Sequence, residues 1–421
     1  MITSDEFSER RQRLFDSMAD GSILLVFSGV AKSSSADETY PFEVNRNFYY
    51  LTGIDQEDSS LLLVNAEGER REFLFISPFD PVKEKWYGRR LTPQEASSKS
   101  GVHNVLLNTA LPAKIDAALS EKFQEFGEVS KVYLDLEKEQ KIAEATTTHE
   151  YRDSLAKVYS NITIEDCYPA IIALRRIKSP NEIKELREAI RHTQLGIAAT
   201  MALVRPDVKE YELADEFFKV INDDSGYQGV SFPTIMASGV HGACLHYMTP
   251  LDNVKKGDLV LMDLGSRHNY YCADITRTVP ANGHYDDFQK MIYSIVLGCN
   301  KMIAALAKPG LTIKDLQNAT VEYLASECLE KGIIAKKEDI VNYYFHGISH
   351  HIGLDTHDPS DRELPLSEGC VISDEPGLYI KEKNIGVRIE DDLLITKDGC
   401  EVLSKDIIKE IPDIELFYKS R

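Results

Sequence analysis

The chain has 421 residues, 43% hydrophobic and 28% charged; this is the composition of a folded globular protein and excludes a disordered one. At about 150 residues per domain, the length calls for two or three domains. With 68 acidic residues against 48 basic ones the net charge is −20, which disfavours nucleic acid and anionic membranes and leaves small molecules, peptides and cations as partners.

The opening stretch MITSDEFSERRQRLFDSM mixes charges and has no apolar run of signal-peptide length. Later apolar runs such as Ile23–Phe27 and Leu61–Val64 suit strands and are too short for a membrane span. The seven cysteines are widely spaced without a CxxC pair, so neither a disulfide framework nor a thiolate zinc site is indicated. The expectation is a reduced, cytoplasmic protein with no membrane association.

In chain order, strands are expected at Ser22–Gly29, Asn47–Leu51, Ser60–Asn65, Glu72–Ser77 and Lys131–Leu136, several rich in Val, Ile, Phe and Tyr. A helix is expected over Pro112–Phe126, where apolar residues recur at helical spacing. This alternation describes an α/β domain ending near Tyr168–Pro169. Ser179-Pro180-Asn181-Glu182 then supplies a capping Ser, a Pro at the first helical position and a Glu at the third. Ile183, Leu186, Ile190, Ile197 and Met201 continue it as one apolar face. The domain boundary is therefore set at about residue 172, giving domains 1–171 and 172–421. Further helices are expected at Glu210–Asn222, Asp286–Ala307 and Ile313–Lys331, followed by two strand pairs.

The chemistry concentrates in the second domain. Asp263 lies inside the apolar run of GDLVLMDLGSRHNYYCADITRTVP, where a carboxylate is costly to bury without a partner. A hairpin centred between His268 and Asn269 sets it directly opposite Asp274, with Cβ atoms roughly 4.5–5.5 Å apart. The construction recurs in VISDEPGLYI and IGVRIEDDLLIT, where a turn at Lys381-Glu382-Lys383-Asn384 sets Glu375 opposite Glu390. Either pair alone is open to a structural reading, with one acid protonated or paired to Arg277 or Arg388. Between the pairs, four of the chain's 11 histidines (His346, His350, His351 and His357) fall within twelve positions. Four carboxylates and an imidazole form a hard donor set that can hold two divalent ions, with Mn²⁺ favoured over thiolate-loving metals. Such a pair supports hydrolysis.

The segments MDLGSRHNYYCADITRT, HGISHHIGLDTHD, DEPGLY and GVRIED resemble the pita-bread metallopeptidases. Residues 5–65, with SADETYPFEVNRNFYYLTGI, resemble the first domain of the aminopeptidase P and prolidase branch, which methionine aminopeptidases lack. The resemblance implies an α/β N-terminal domain followed by an α+β pita-bread catalytic domain. It implies Asp263, Asp274, His350, Glu375 and Glu390 as metal ligands, Asp274 and Glu390 bridging two ions, and Glu375 also taking the proton of the attacking water. It matches His246 to a substrate-side histidine, His357 to the histidine at the scissile region, His346 to a position behind the ligands, and Arg388 and Tyr379 to supporting positions. Trp86, the only tryptophan, matches a pocket-lining position on a neighbouring subunit or a packing residue of the first domain. Asp358-Pro359-Ser360 and Ser373-Asp374 depart from the family pattern without touching a ligand. The expected activity is Xaa-Pro aminopeptidase on peptides with Pro at the second position, from a homodimer or homotetramer. A prolidase for X-Pro dipeptides and a non-catalytic pita-bread binding protein are the alternatives.

Overall fold

The computed structural model describes residues 2–120, 125–137, 146–222 and 227–420. The chain divides into two compact units, Ile2–Arg175 and Arg176–Arg421.

In the first unit a six-stranded sheet runs in the order Asn104–Leu107, Glu69–Ile76, Ser60–Ala66, Ser22–Phe27, Lys131–Leu134, Thr163–Asp166. The three central strands pair antiparallel and the outer ones parallel. Ser22–Phe27 and Ser60–Ala66 are buried along almost their whole length, which explains their unbroken apolar sequences. Ile115, Ala118 and Leu119 of the helix Leu111–Leu119 join Leu25, Val64 and Phe75 in the core. The helix expected over Pro112–Phe126 thus ends early, and residues 121–124 lie outside the described ones.

The strand expected at Asn47–Leu51 is instead part of a helix, Arg46–Thr52. Its aromatic run reads as strand by composition, but its ends decide otherwise. The Asn45 side chain accepts a hydrogen bond from Phe48 N at 2.9 Å, and Gly53, at φ 65°, turns the chain out of the helix.

In the second unit, Ser179 and Glu182 form the reciprocal cap that starts the helix Pro180–Leu203. This helix packs with Glu210–Ile221 beside one group of strands, including Ile235–Ser238, Leu259–Leu264 and Ser266–His268. The pair Asp287–Leu306 and Ile313–Glu330 packs together, and Asp287–Leu306 lies beside another group: Val371–Asp374, Gly377–Ile380, Ile385–Arg388 and Cys400–Val402. Short antiparallel sheets flanked by helix pairs make this an α+β unit, the class expected of the second domain. No helix among the described residues is long and apolar enough to cross a membrane.

The two groups of strands are joined through Arg277, which is fully buried. Its guanidinium donates to the carbonyls of Thr276 at 2.9 Å, Glu390 at 2.6 Å and Ile407 at 3.0 Å, and to Asp391 Oδ1 at 2.8 Å. The Glu390 N–H adds a bond to Thr276 O at 3.0 Å.

Candidate metal centre

The first hairpin differs from the sequence expectation by its register. Asp263 lies opposite Thr276, not Asp274. The turn is centred on Asn269 and Tyr270, at φ 47° and 68°, the left-handed pair that a tight two-residue hairpin turn demands. Moving the centre by one residue moves every partner by two, so the side-chain faces are unchanged. Asp274 becomes the diagonal neighbour of Asp263 on the same face. The strands approach closely just there: a Cβ on Gly265 would lie 2.0 Å from Ala273 O.

The second hairpin keeps the expected register. Asp374 pairs with Asp391 and Gly377 with Arg388, so Glu375 and Glu390 face each other at the break between two strand pairs. Pro376-Gly377 interrupts the ladder without shifting it, and Ile389 N still donates to Pro376 O at 3.3 Å.

These hairpins and the His346–His357 segment converge. Donor atoms of Asp263, Asp274 and Glu390 all lie within 4.8 Å of one another, as do those of His350, Glu375 and Glu390, and those of Asp274, His350 and His357. His350 Nδ1 donates to His351 O at 3.1 Å. Because a carbonyl can only accept, Nδ1 carries a hydrogen, so that in the neutral ring Nε2 is the nitrogen with the lone pair. That Nε2 faces Asp274 Oδ2 at 3.3 Å and Glu375 Oε1 at 3.6 Å.

The acids resist carrying their charges together. Burial, and after it the Asp263 carboxylate, holds Asp274 well above the usual carboxylate range. Burial and then Asp274 do the same to Glu390, and burial pushes Glu375 up to about 7. Asp263 Oδ1 is buried without a hydrogen-bond partner. A crowded, oxygen-rich set with a spare buried oxygen and a free imidazole lone pair fits hard divalent cations.

Arg388 braces the set from behind. It donates to Asp263 Oδ2 at 2.6 Å, to Thr276 Oγ1 at 3.1 Å and to the Tyr379 hydroxyl at 3.0 Å. Thr276 in turn donates to Glu390 Oε2 at 2.7 Å. Tyr379 donates to His346 Nε2 at 2.8 Å, since His346 Nδ1 is used on Gly347 O at 2.8 Å. Burial and the Arg388 charge lower His346 to about 4, so it is neutral. Burial and His350 likewise lower His357 to about 4, its ring 4.1 Å from that of His350. His246 is exposed and lies within electrostatic reach of both His346 and His357. Trp86 belongs to the first unit, on the helix Pro81–Tyr87, and is 79% exposed.

Thr276 and Lys178 had no place in the sequence reading, while Ser373 and Asp358 entered it only as departures from the family pattern that touch no ligand. For Ser373 that expectation fails, since it bonds to both His350 and Glu375. Thr276 bonds to Glu390 as above. Ser373 accepts from His350 N at 3.0 Å and donates to Glu375 Oε1 at 3.3 Å. Lys178 and Asp358 form an ion pair at 2.9 Å with both side chains 1% exposed, immediately after His357 in the chain. The signal for Thr276 and Ser373 was available: each stands two residues from one of the clustered acids, near the end of a strand.

The model of metallopeptidase family M24 matches residues 184–397, and that of the aminopeptidase P N-terminal domain matches residues 7–125. An Xaa-Pro aminopeptidase of Haemophilus influenzae is 34% identical, over 98% of this chain and 97% of its own. One from Escherichia coli is 32% identical, over 98% and 97%. The solved structure of E. coli aminopeptidase P with the inhibitor Pro-Leu superposes with a TM-score of 0.91 at 31% identity, covering 100% of this chain and 99% of that one.

Proposed function

The chain belongs to metallopeptidase family M24 and is a metallo-exopeptidase of the Xaa-Pro aminopeptidase type; on that premise we propose that it uses two divalent cations, Mn²⁺ foremost, to release the residue preceding proline from a peptide. The observation that carries the proposal is the convergence of Asp263, Asp274, His350, Glu375 and Glu390 within 4.8 Å groups. Asp274, His350 and Glu390 each belong to two of those groups; of the three, only the two carboxylates would have a second acceptor atom free to serve both ions, since His350 Nδ1 is used on His351 O. When bound, the cations polarise the scissile carbonyl and make a water nucleophilic near neutral pH.

The chain's own residues do the rest. Glu375 takes the proton from the attacking water as its oxygen bonds to the carbonyl carbon. The carbon–nitrogen bond then breaks, and the proline nitrogen leaves with a proton. An X-Pro bond is a tertiary amide without N–H, so recognition falls to groups reading the carbonyl and the free amino end. We assign this to His357 and His246, with His346 and Tyr379 keeping Arg388 and Asp263 in place. A neutral imidazole at His357 can accept from or donate to a peptide backbone without adding charge.

We further assign the protein to the cytoplasm, consistent with its seven free cysteines, and to a homodimer or homotetramer. Phe79, Val82, Trp86 and Tyr87, exposed by 62–79%, offer an apolar surface for such assembly.

The deciding assay strips the protein with EDTA, restores Mn²⁺, and compares an X-Pro-Z tripeptide with the X-Pro dipeptide. Free X from the tripeptide is the expected product. Cleavage of the dipeptide alone would instead make the protein a prolidase, and cleavage of neither would remove the hydrolytic reading.

A further inference from the structure

Outside the metal centre, the most fully engaged acid among the described residues of the second unit is Glu210. It opens the helix Glu210–Ile221, its side chain fully buried. Among the described residues, every hydrogen bond to that carboxylate comes from one stretch of chain, Ser238 to Asp252. Oε1 accepts from Ser238 N at 2.8 Å, Ser238 Oγ at 2.8 Å and His241 Nδ1 at 2.9 Å. Oε2 accepts from the Tyr247 hydroxyl at 3.0 Å and Asp252 N at 3.3 Å. The Glu210 N–H closes the ring by donating to Asp252 O at 3.1 Å.

The geometry binds both ends of the stretch and two points inside it to one carboxylate. The His241 and Tyr247 rings stack between those points, centroids 4.3 Å apart and 18° from parallel. Gly242 adds a second anchor against Gly386, the neighbour of the Val387–Arg388 end of its strand; a Cβ on Gly386 would sit 1.9 Å from Gly242 O. The segment so fastened carries His246, directly before Tyr247. His246 itself is exposed and has no brace of its own recorded. What holds its backbone are the residues on either side, Leu245 and Tyr247, both packed against the cluster of Ile235, Ala237, Leu261 and Tyr379, and Tyr247 alone of the two bonded to Glu210.

We propose that Glu210 is a positioning residue for His246, acting through Tyr247, His241 and the two backbone N–H groups to pre-order the peptide-binding segment 238–252. The inference rests on the reading of His246 as a peptide-binding residue. Pre-ordering of this kind acts on substrate binding, because a loop that must be ordered at each encounter costs affinity. It touches no cation ligand, so metal retention is separate from it.

The substitution Glu210→Gln tests the idea with little change of shape. Whichever way the amide is turned, its NH₂ meets an obligate backbone donor: Ser238 N on one side, Asp252 N on the other. The Mn²⁺-loaded full chain is assayed on an X-Pro-Z tripeptide as wild type, E210Q, H246A and E210Q/H246A, with Mn²⁺ content measured for each. The expectation for E210Q is a KM raised about tenfold, the scale of one lost charge-assisted hydrogen bond, with kcat and Mn²⁺ content near those of wild type. In the H246A background the same change should raise KM by less than about twofold, since interacting residues are non-additive.

Tyr247→Phe, which removes one donor and keeps the ring, should raise KM in the same direction by a smaller factor; it serves if E210Q does not fold. An E210Q effect of equal size in both backgrounds overturns the inference, as does a joint fall of kcat and Mn²⁺ content at unchanged KM. A raised KM in H246A with wild-type behaviour in both E210Q and Tyr247→Phe overturns it while leaving His246 its role. An unchanged KM in H246A overturns the reading of His246 and this inference with it.

Discussion

Substituting Asp274 by Asn should stabilise the metal-free protein while destroying the metal centre. Oxygens of Asp263, Asp274 and Glu390 lie within 4.8 Å of one another, and two unit charges at that distance repel by about 3.5 kcal/mol at an effective dielectric near 20. The metal-free wild type escapes part of this by protonating Asp274, whose carboxyl burial and Asp263 hold well above its usual range. An amide needs no such proton, and its NH₂ can donate to Asp263 or to His350 Nε2, which stands 3.3 Å from Asp274 Oδ2. After allowing for that partial escape, the gain should be about 1–3 kcal/mol, or a melting temperature higher by roughly 3–8 °C.

The pH dependence follows in sign. An acid whose folded pKa lies above its unfolded value stabilises the fold below the unfolded value, about 3.9 for Asp, and loses that stabilisation as pH rises towards the folded value. The advantage of D274N in EDTA should therefore be small near pH 4 and grow towards pH 8. Scanning fluorimetry on both proteins, with EDTA or with Mn²⁺, is the assay. With Mn²⁺ the order should reverse, since only the wild type gains the binding energy. A D274N protein melting below wild type in EDTA at pH 8 would refute the electrostatic reasoning.

Three further outcomes are expected. Glu375→Gln should lower kcat about 10²–10⁴-fold, the range of a lost general base; an unchanged kcat would remove that role. Lys178→Met breaks a pair with both side chains 1% exposed and should cost about 3–5 kcal/mol in urea unfolding, part of it recovered in Lys178→Met/Asp358→Leu; a cost below that of ordinary surface substitutions would contradict the pair's structural weight. Gly386→Ala would set a Cβ 1.9 Å from the Gly242 carbonyl and should destabilise by at least about 1–3 kcal/mol, measured by the same unfolding curves; a neutral result would mean that the Gly242 turn moves freely.

The cluster of acids and histidines was legible because the acids stand in or beside apolar strands, two per hairpin, with a run of histidines between them. The register of the first hairpin was less legible. In HNYY the centre of the turn depends on which residues accept positive φ, and Tyr270, at 68°, is not a residue whose composition announces it. The second turn reads correctly because Asn384, at φ 55°, ends an unmistakably polar stretch. Asn47–Leu51 has the aromatic composition of a strand, and its helical state is set by the flanking caps, Asn45 and Gly53. Glu210 and Lys178 were beyond reach, and Arg277, offered as a partner of the paired acids, bonds instead to the Glu390 carbonyl and to Asp391. The partners of Glu210, Arg277 and Lys178 lie 31, 113 and 180 positions away, and no local pattern names a partner at such distances.

The clasp of Arg277 between Thr276 and Glu390 also bears on when the molecule becomes dangerous. Neither hairpin alone offers a complete donor set; the last acid arrives only when the strands near the carboxyl end have docked on those around Asp274. A nascent, nicked or misfolded copy would hold its metal poorly. Hydrolytic power would then come last, in finished molecules.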